Sequence, residues 1–174
     1  MVLACNMPTY FIFIKRGEII MFESDRIRFV KLSEQYIDDY IKMYTDSNIQ
    51  KTLFKKEYDY NTITNWIKKE IGEEEKYKYS MIDKLTKEFI GNIEIIQKDD
   101  AAEIMISITP SKQGMHYATE AIKSTIEYGR KELGITKYDL NVCKKNSKAI
   151  HIYEKVGFIQ DNENLSDDSI HMKL

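Results

Sequence analysis

Residues 111–121 read SKQGMHYATEA and join a predicted strand to a long predicted helix. Pro110 ends the strand, and from Tyr117 small and apolar residues recur at helical spacing as far as residue 133. A loop that opens a helix presents unbonded backbone N–H groups and the positive end of the helix dipole. The segment lacks the Gly-Lys-Ser/Thr ending of a P-loop and the GxGxxG of a dinucleotide-binding turn. It therefore predicts an anion-binding turn of another kind, and an ordinary structural turn is the alternative.

The sequence before this loop predicts two helices and an antiparallel meander. Alternating apolar and polar residues predict strands, at 26–32, 76–82, 89–96 and 102–108. Short connections between the last three strands favour antiparallel pairing. Helical spacing predicts one helix that Ser33 caps and another that begins at Asn61 or Thr62.

The sequence after the loop predicts a change of architecture. The helix at 117–133 ends before Gly134, and a strand follows at 138–143. Asn146 begins a further helix that Gly157 ends, and short strands at 158–159 and 169–174 close the sheet. A strand–helix–strand connection implies a parallel pair. The predicted fold class is α/β, a mixed α+β sheet in which a meander precedes a parallel pair.

Composition excludes several classes of protein. The chain has 174 residues, which corresponds to one domain, with 26 basic and 28 acidic residues and a formal net charge of −2. That balance argues against a nucleic-acid partner, and no apolar run is long enough to span a membrane. Cys5 and Cys143 make neither a disulfide framework nor a metal-ligand pattern, so we expect no metal and a reducing, cytoplasmic location.

The first twenty residues have two interpretations. Residues 15–18 read KRGE, which a purine-rich sequence resembling a bacterial ribosome-binding site can encode shortly before the Met21 codon. On this interpretation residues 1–20 are a translated leader and residues 21–174 are the domain. The alternative is a genuine β-hairpin of residues 10–14 and 19–22 that turns at Arg16 and Gly17. An ordered hairpin there can mediate a homodimer, so both a monomer and a homodimer remain open.

Two segments, taken in order, resemble the signature segments of the GCN5-related N-acetyltransferase (GNAT) superfamily. The first, at 111–121, resembles the acetyl-CoA pyrophosphate loop Q/R-x-x-G-x-G/A. The second, NSKAIHIYEKVGF at 146–158, resembles N-x-x-A-x-x-x-Y-x-K-x-G-F. The resemblance extends from residue 26 to 174. An opening Met21-x-x-x-x-Arg26 and IGNI at 90–93 are similar to the ribosomal-protein-alanine and spermidine acetyltransferase branches.

The resemblance implies a set of cofactor-binding residues for acetyl-CoA. Backbone groups of Ile106 and Ile108 would pair with the pantetheine arm, and Asn146 and Ala149 would lie along that arm. The loop residues would bind the pyrophosphate: Gln113, Gly114, Met115, His116, Tyr117, Ala118 and Thr119. His116 departs from the pattern, which has glycine there. Because histidine tolerates the left-handed conformation, we expect the loop to form with some loss of affinity.

The resemblance also implies direct attack of a neutral amine on the thioester. Tyr153 would donate a proton to the leaving thiolate, and packing on a helix face is the alternative for that tyrosine. Glu103 and Glu94 are the candidate bases, and each can also be a solvated strand carboxylate. A chain of water molecules without a dedicated base is a further possibility. His151 and His171 are isolated in the sequence, which favours surface or packing roles.

The expected function is acetyl-CoA-dependent N-acetyltransfer to a primary amine, either a protein N-terminus or a polyamine-like molecule. A non-catalytic CoA-binding or sensing module is the alternative, and it would be indifferent to Tyr153→Phe. Acidic residues at 73–75 are most simply a solvated surface, or else part of a site for polyamines. A Rossmann domain is excluded by the missing GxGxxG and by the antiparallel meander.

Overall fold

The computed structural model describes residues 13–15, 18–51, 58–71, 77–98, 100–165 and 168–174. Nine strands are described: β1 (Phe13–Lys15), β2 (Glu18–Glu23), β3 (Ile27–Lys31), β4 (Tyr77–Asp83), β5 (Phe89–Gln97), β6 (Ala102–Ile108), β7 (Tyr138–Cys143), β8 (Ile159–Leu165) and β9 (Ser169–Lys173). The α-helices are α1 (Ile37–Tyr44), α2 (Ser47–Gln50), α3 (Tyr60–Ile71), α4 (Tyr117–Glu132) and α5 (Ser147–Val156). Across these residues, no helix combines the length and the apolar character needed to cross a membrane.

The strands form one mixed sheet in the order β1-β2-β3-β4-β5-β6-β7-β9-β8. The strands from β1 to β6 pair antiparallel, β6 and β7 pair parallel, and β9 lies antiparallel between β7 and β8. The predicted meander and the predicted parallel pair are both confirmed. The strand predicted at 158–159 is longer than expected, since β8 continues to Leu165.

Helices cover both faces of the sheet, because the strands are apolar on both sides. Neighbouring residues of a strand point to opposite faces, and Phe29 and Val30 of β3 accordingly belong to two separate buried clusters. Ala121 and Ile122 of α4 pack in the first cluster, as does Tyr153 of α5. The second cluster holds buried residues of α1 and α3: Tyr40, Met43, Tyr44, Ile63 and Ile67. The two faces are called the α4 face and the α1 face below.

Two predicted helix starts need correction. Ser33 makes no capping hydrogen bond, and a 3₁₀ turn at Glu34–Tyr36 precedes α1. The second helix begins at Tyr60 rather than at residue 61 or 62, because the Asp59 carboxylate accepts a hydrogen bond from the Thr62 amide at 2.7 Å. Asp59 is as favourable a cap as Asn61 by residue type, and it was not predicted from the sequence.

The N-terminal segment has a described pair of strands. Residues 13–15 of β1 pair with residues 18–20 of β2, and the proposed turn at 16–17 and residues 10–12 lie outside the described residues. Met21 lies inside β2, directly after the buried Ile20. Whether translation begins at Met21 stays a prediction. A chain beginning there would lack Glu18, whose carboxylate accepts a hydrogen bond from Tyr36 and lies 3.8 Å from Arg28.

Candidate active site

Backbone pairing between β6 and β7 stops after two positions, and the space between the two strands beyond that point is called the cleft below. The parallel pairing between them joins Ala102 to Tyr138 and Glu103 to Asp139, and the register extends no further along these two described strands. The Ala102 amide donates to the Lys137 carbonyl at 2.9 Å, so the backbone groups of even-numbered β6 residues point towards β7. Ile106 and Ile108 therefore present their backbone to the cleft. A slot lined by unpaired strand backbone accepts an extended ligand as an added strand would.

One of these backbone groups already has a partner. The Gln113 side chain donates a hydrogen bond to the Ile108 carbonyl at 3.1 Å. The Ile108 amide and both backbone groups of Ile106 remain directed at the cleft. Gln113 thus closes the end of β6 with its side chain, a role that the sequence analysis did not predict for it.

The loop from β6 to α4 has two left-handed residues. Gly114 has a φ of 76° and His116 a φ of 64°, so His116 adopts the conformation that was expected of it. His116 is the N-cap of α4 and its side chain makes no capping hydrogen bond. The amides at the start of α4, at Tyr117, Ala118 and Thr119, lie ahead of the first intrahelical bonds. The arrangement leaves a row of donors at the positive end of the helix, which suits an anion.

Charged and aromatic side chains hold this loop on the side where Arg26 lies. Arg26 binds the Glu120 carboxylate at 2.7 Å and donates to the Met115 carbonyl at 3.1 Å. Its guanidinium carbon lies 4.4 Å from the centre of the Tyr117 ring, and the Tyr117 hydroxyl donates to Asp83. Arg26, Glu120 and Asp83 were not predicted from the sequence as residues of the site. An acidic residue in the first turn of a helix was the available signal for Glu120.

The second predicted segment forms the whole of α5, with Asn146 at its start. The Asn146 side-chain oxygen accepts a hydrogen bond from the Ala149 amide at 3.2 Å, which confirms Asn146 as the N-cap. Its oxygen is therefore engaged within the helix, and its amide nitrogen is the group that can donate to a ligand. Ala149 is half-buried and packs against the cluster on the α4 face.

Tyr153 lies in the second turn of α5 and is buried. Its ring meets Phe158 edge-on, with 5.7 Å between ring centres. Burial and, to a smaller extent, the negative charge of Glu103 together raise the pKa of Tyr153 to about 12. Tyr153 is therefore protonated throughout the physiological pH range and can act as a donor.

The two candidate bases occupy different surroundings on the α1 face. Glu103 binds Lys98 at 2.8 Å and pairs in register with Asp139 at the point where the cleft begins. Glu94 lies opposite Lys78, which contacts it at 3.1 Å and also contacts Glu70 at 2.8 Å. The side chains of Glu103 and Glu94 are only 18% and 15% exposed, so neither is a solvated strand carboxylate. Of the two, Glu103 is the one whose charge reaches Tyr153.

His171 lies between two carboxylates, which agrees with the expected packing role, although the sequence did not identify its partners. Its Nδ1 lies 3.0 Å from Asp161 and its Nε2 lies 3.3 Å from Asp139, so the ring joins β8, β9 and β7. Lys173 reaches the same Asp161 oxygen at 2.6 Å. Asp139, His171 and Asp161 come from three neighbouring strands. Their contact depends on the strand order, in which β9 lies between β7 and β8. In the part of the chain that the structure describes, no group of three or more His, Cys, Asp or Glu side chains is arranged to hold a metal ion.

A family profile described as acetyltransferase (GNAT) domain matches residues 26–159. The chain belongs to this family, and the predicted class of N-acetyltransferases is thereby confirmed at the level of the family. The matched residues run from Arg26 through the loop and α5 to the first residue of β8.

Curated relatives and solved structures agree with this assignment. The chain is 44% identical over 71 residues to the spermidine N(1)-acetyltransferase of Escherichia coli strain K12, a match covering 41% of this chain and 38% of that protein. It is 28% identical over 118 residues to the same-named enzyme of Vibrio cholerae, covering 66% of this chain and 68% of that protein. The fold is similar to that of a Bacillus anthracis GNAT acetyltransferase, with a TM-score of 0.79 and 17% identity over 87% of this chain and 96% of that one.

A further solved structure carries ligands. The Vibrio cholerae spermidine N-acetyltransferase in complex with CoA and spermine has a TM-score of 0.74 and 23% identity. The superposition covers 86% of this chain and 95% of that one. At this identity the likeness supports the fold.

Proposed function

We propose that the protein transfers the acetyl group of acetyl-CoA to a primary amine. The observation that carries the proposal is the cleft between β6 and β7 with the left-handed His116 loop at its mouth. An extended slot followed by a row of helix-terminal amides suits a ligand with a long neutral arm and a pyrophosphate. Acetyl-CoA has that shape and charge distribution.

The cofactor-binding residues are those that line the slot and its mouth. The Ile106 backbone and the Ile108 amide pair with the arm, and the Asn146 amide nitrogen donates to it beside Ala149. The loop then holds the pyrophosphate, through Gln113, Gly114, Met115, His116, Tyr117, Ala118 and Thr119. The Gln113 side chain supports this site indirectly, since it binds the Ile108 carbonyl.

The chemistry follows from a protonated Tyr153 and a nearby carboxylate. The lone pair of a neutral amine attacks the thioester carbon, and the carbon–sulfur bond then breaks. Tyr153, with a pKa of about 12, donates a hydrogen bond that strengthens as negative charge develops on sulfur, and then its proton. The proton that the amine loses passes to Glu103, directly or through water, and Lys98 holds that carboxylate in place.

The acceptor we favour is a polyamine-like molecule. The curated relatives with significant similarity are spermidine acetyltransferases, and carboxylates on the α1 face attract a cationic substrate. A protein N-terminus is the other acceptor that carries a primary amine. The working location we propose is the cytoplasm, where Cys143 stays a free thiol.

Release of CoA thiol tests this proposal directly. The purified protein is mixed with acetyl-CoA and either spermidine or a peptide with a free N-terminus, and the product is identified by mass spectrometry. Tyr153→Phe is compared with Tyr138→Phe, which removes another buried hydroxyl, one that binds the Ile126 carbonyl. Loss of transfer in Tyr153→Phe alone supports the enzyme. Binding of acetyl-CoA with no thiol release for any amine supports the non-catalytic module instead.

A further inference from the structure

Two segments that are distant in the chain, residues 24–26 and residues 115–120, meet behind the loop. The Glu120 carboxylate of α4 accepts hydrogen bonds from the Ser24 hydroxyl at 2.7 Å and from the Arg26 amide at 2.8 Å. The Arg26 guanidinium binds the other Glu120 oxygen at 2.7 Å and also donates to the Met115 carbonyl at 3.1 Å. The turn after β2 is thereby joined both to the loop and to the first turn of α4. Glu120 is held ionised here: its partial burial raises its pKa, and the donors Ser24 and Arg26 lower it below the ordinary value.

The loop needs such support because of His116. A residue with a side chain is strained at a φ of 64°, and His116 has no capping hydrogen bond that would offset this strain. The neighbouring peptide is the one that Arg26 holds, through the Met115 carbonyl. In a planar trans peptide, the Met115 carbonyl and the His116 amide point in opposite directions. Holding the carbonyl on the Arg26 side therefore directs the His116 amide to the other side, away from Arg26.

Arg26 is unsuited to bind the anion itself. Its charge is paired with Glu120 at 2.7 Å, and the guanidinium face is taken by the Tyr117 ring at 4.4 Å. We propose that Arg26 is a positioning residue for the cofactor, which holds the Met115 carbonyl back so that the amides of the loop converge on the pyrophosphate. The inference rests on the proposed function, namely that this loop binds acetyl-CoA.

Two acetyl donors distinguish positioning from simple structural damage. Acetyl-CoA carries the pyrophosphate, and S-acetylpantetheine carries the same thioester and arm without it. Arg26→Gln should raise the KM for acetyl-CoA about tenfold, as expected for one charge-assisted hydrogen bond. Its kcat with saturating acetyl-CoA, and its kcat/KM with S-acetylpantetheine, should stay within about twofold of the wild type.

Rescue at position 116 provides a second readout. His116→Gly relieves the left-handed strain, so adding it to Arg26→Gln should restore part of the lost affinity for acetyl-CoA. Arg26→Lys keeps the charge but loses the forked geometry, and should be intermediate. Lys131→Gln breaks the exposed pair with Glu127 at the far end of α4 and serves as the matched control, with unchanged kinetics.

The outcomes separate the inference from the proposed function. An equal loss on acetyl-CoA and S-acetylpantetheine, or no loss on either, overturns the positioning role while the wild type still transfers acetyl groups. Failure of the wild type to bind or use acetyl-CoA overturns the proposed function, and the role of Arg26 with it. A selective loss on acetyl-CoA that His116→Gly restores in part is the expected result.

Discussion

The two edges of β6 differ in how far they are paired: one edge belongs to the sheet, and the other lines the candidate site. Towards β5 the strand is paired at seven successive positions, from Gly91 with Ile108 to Gln97 with Ala102. Towards β7 it is paired at two positions, and its remaining backbone faces a cleft. One strand therefore supports the sheet along one edge and offers a binding surface along the other. The closed edge should respond to mutation mainly through stability, and the open edge mainly through binding and catalysis.

Breaking the closed edge should have the largest effect. A Cβ added at Gly91 would lie 2.0 Å from the Ser107 carbonyl oxygen of β6, and the φ of Gly91 is 154°. Gly91→Ala should therefore lower the free energy of unfolding by about 4 kcal/mol, measured by urea denaturation. Gly134→Ala is the matched control, since Gly134 also has a positive φ but no atom lies within 4 Å of the added Cβ. It should cost about 1 kcal/mol, and equal losses in the two variants would contradict the steric explanation.

A substitution beside the open edge should lower the turnover number instead of the stability. Tyr153→Phe should reduce kcat about 100-fold through loss of the donor to sulfur, while the buried ring keeps its contact with Phe158. Its free energy of unfolding should change by less than about 1 kcal/mol. Thiol release and urea denaturation are measured on the same preparation. A variant with a lower free energy of unfolding but an unchanged kcat would show that Tyr153 has a structural role and not a catalytic one.

Asn146 allows the two kinds of effect to be separated at one residue. Asn146→Asp keeps an oxygen that caps α5 but removes the amide donor, so stability should hold while the KM for acetyl-CoA rises about tenfold. Asn146→Ala should also lower the free energy of unfolding by about 1 kcal/mol, because the bond to the Ala149 amide is lost. Parallel changes of KM in both variants, with stability lost only in Asn146→Ala, are expected. An unchanged KM in Asn146→Asp would remove this residue from the cofactor site.

The smallest expected effect is a pH dependence at the mouth of the cleft. The pKa of Glu120 is lowered from its ordinary 4.5 in the folded protein, because the bonds from Ser24 and Arg26 outweigh the opposing effect of burial. A lowered folded-state pKa stabilises the protein above the unfolded pKa, and this contribution is lost as the pH falls through the folded pKa. The difference in unfolding free energy between wild type and Glu120→Gln should therefore shrink as the pH falls below about 4.5. A difference that stays constant from pH 7 to pH 3 would show that the Glu120 charge contributes nothing.

Local patterns predicted most of the elements, and distance along the chain explains what they missed. The bounds of 102–108 and 138–143 match β6 and β7, because alternation and turn residues specify such strands locally. The bond between the Arg26 amide and Glu120 spans 94 residues, and no short-range pattern encodes it. The same holds for His171, whose partners Asp139 and Asp161 become neighbours only when β9 inserts between β7 and β8.

The candidate site was predictable where a motif covers it. His116 in the left-handed region and Asn146 as a cap both follow from residue type and position. The ion pairs of Glu103 and Glu94 were not predictable, because each depends on which cation the strand register places opposite. Sequence patterns therefore predict the candidate cofactor-binding residues, while the strand register determines the surroundings of each candidate carboxylate.

The parted strands also have a mechanical consequence. Strands β7, β9 and β8 form an outer part of the sheet, called the leaf here, which is held together by antiparallel backbone pairing and by His171. The backbone pairing of the leaf with the rest of the sheet extends over only two positions. Buried side chains carry the rest of that connection, since Leu140, Val142 and Met172 of the leaf belong to the same cluster as residues of β5, β6 and α4. The leaf is thus attached mainly through side chains rather than through backbone hydrogen bonds, and the last shared backbone pair lies at Glu103, a candidate base.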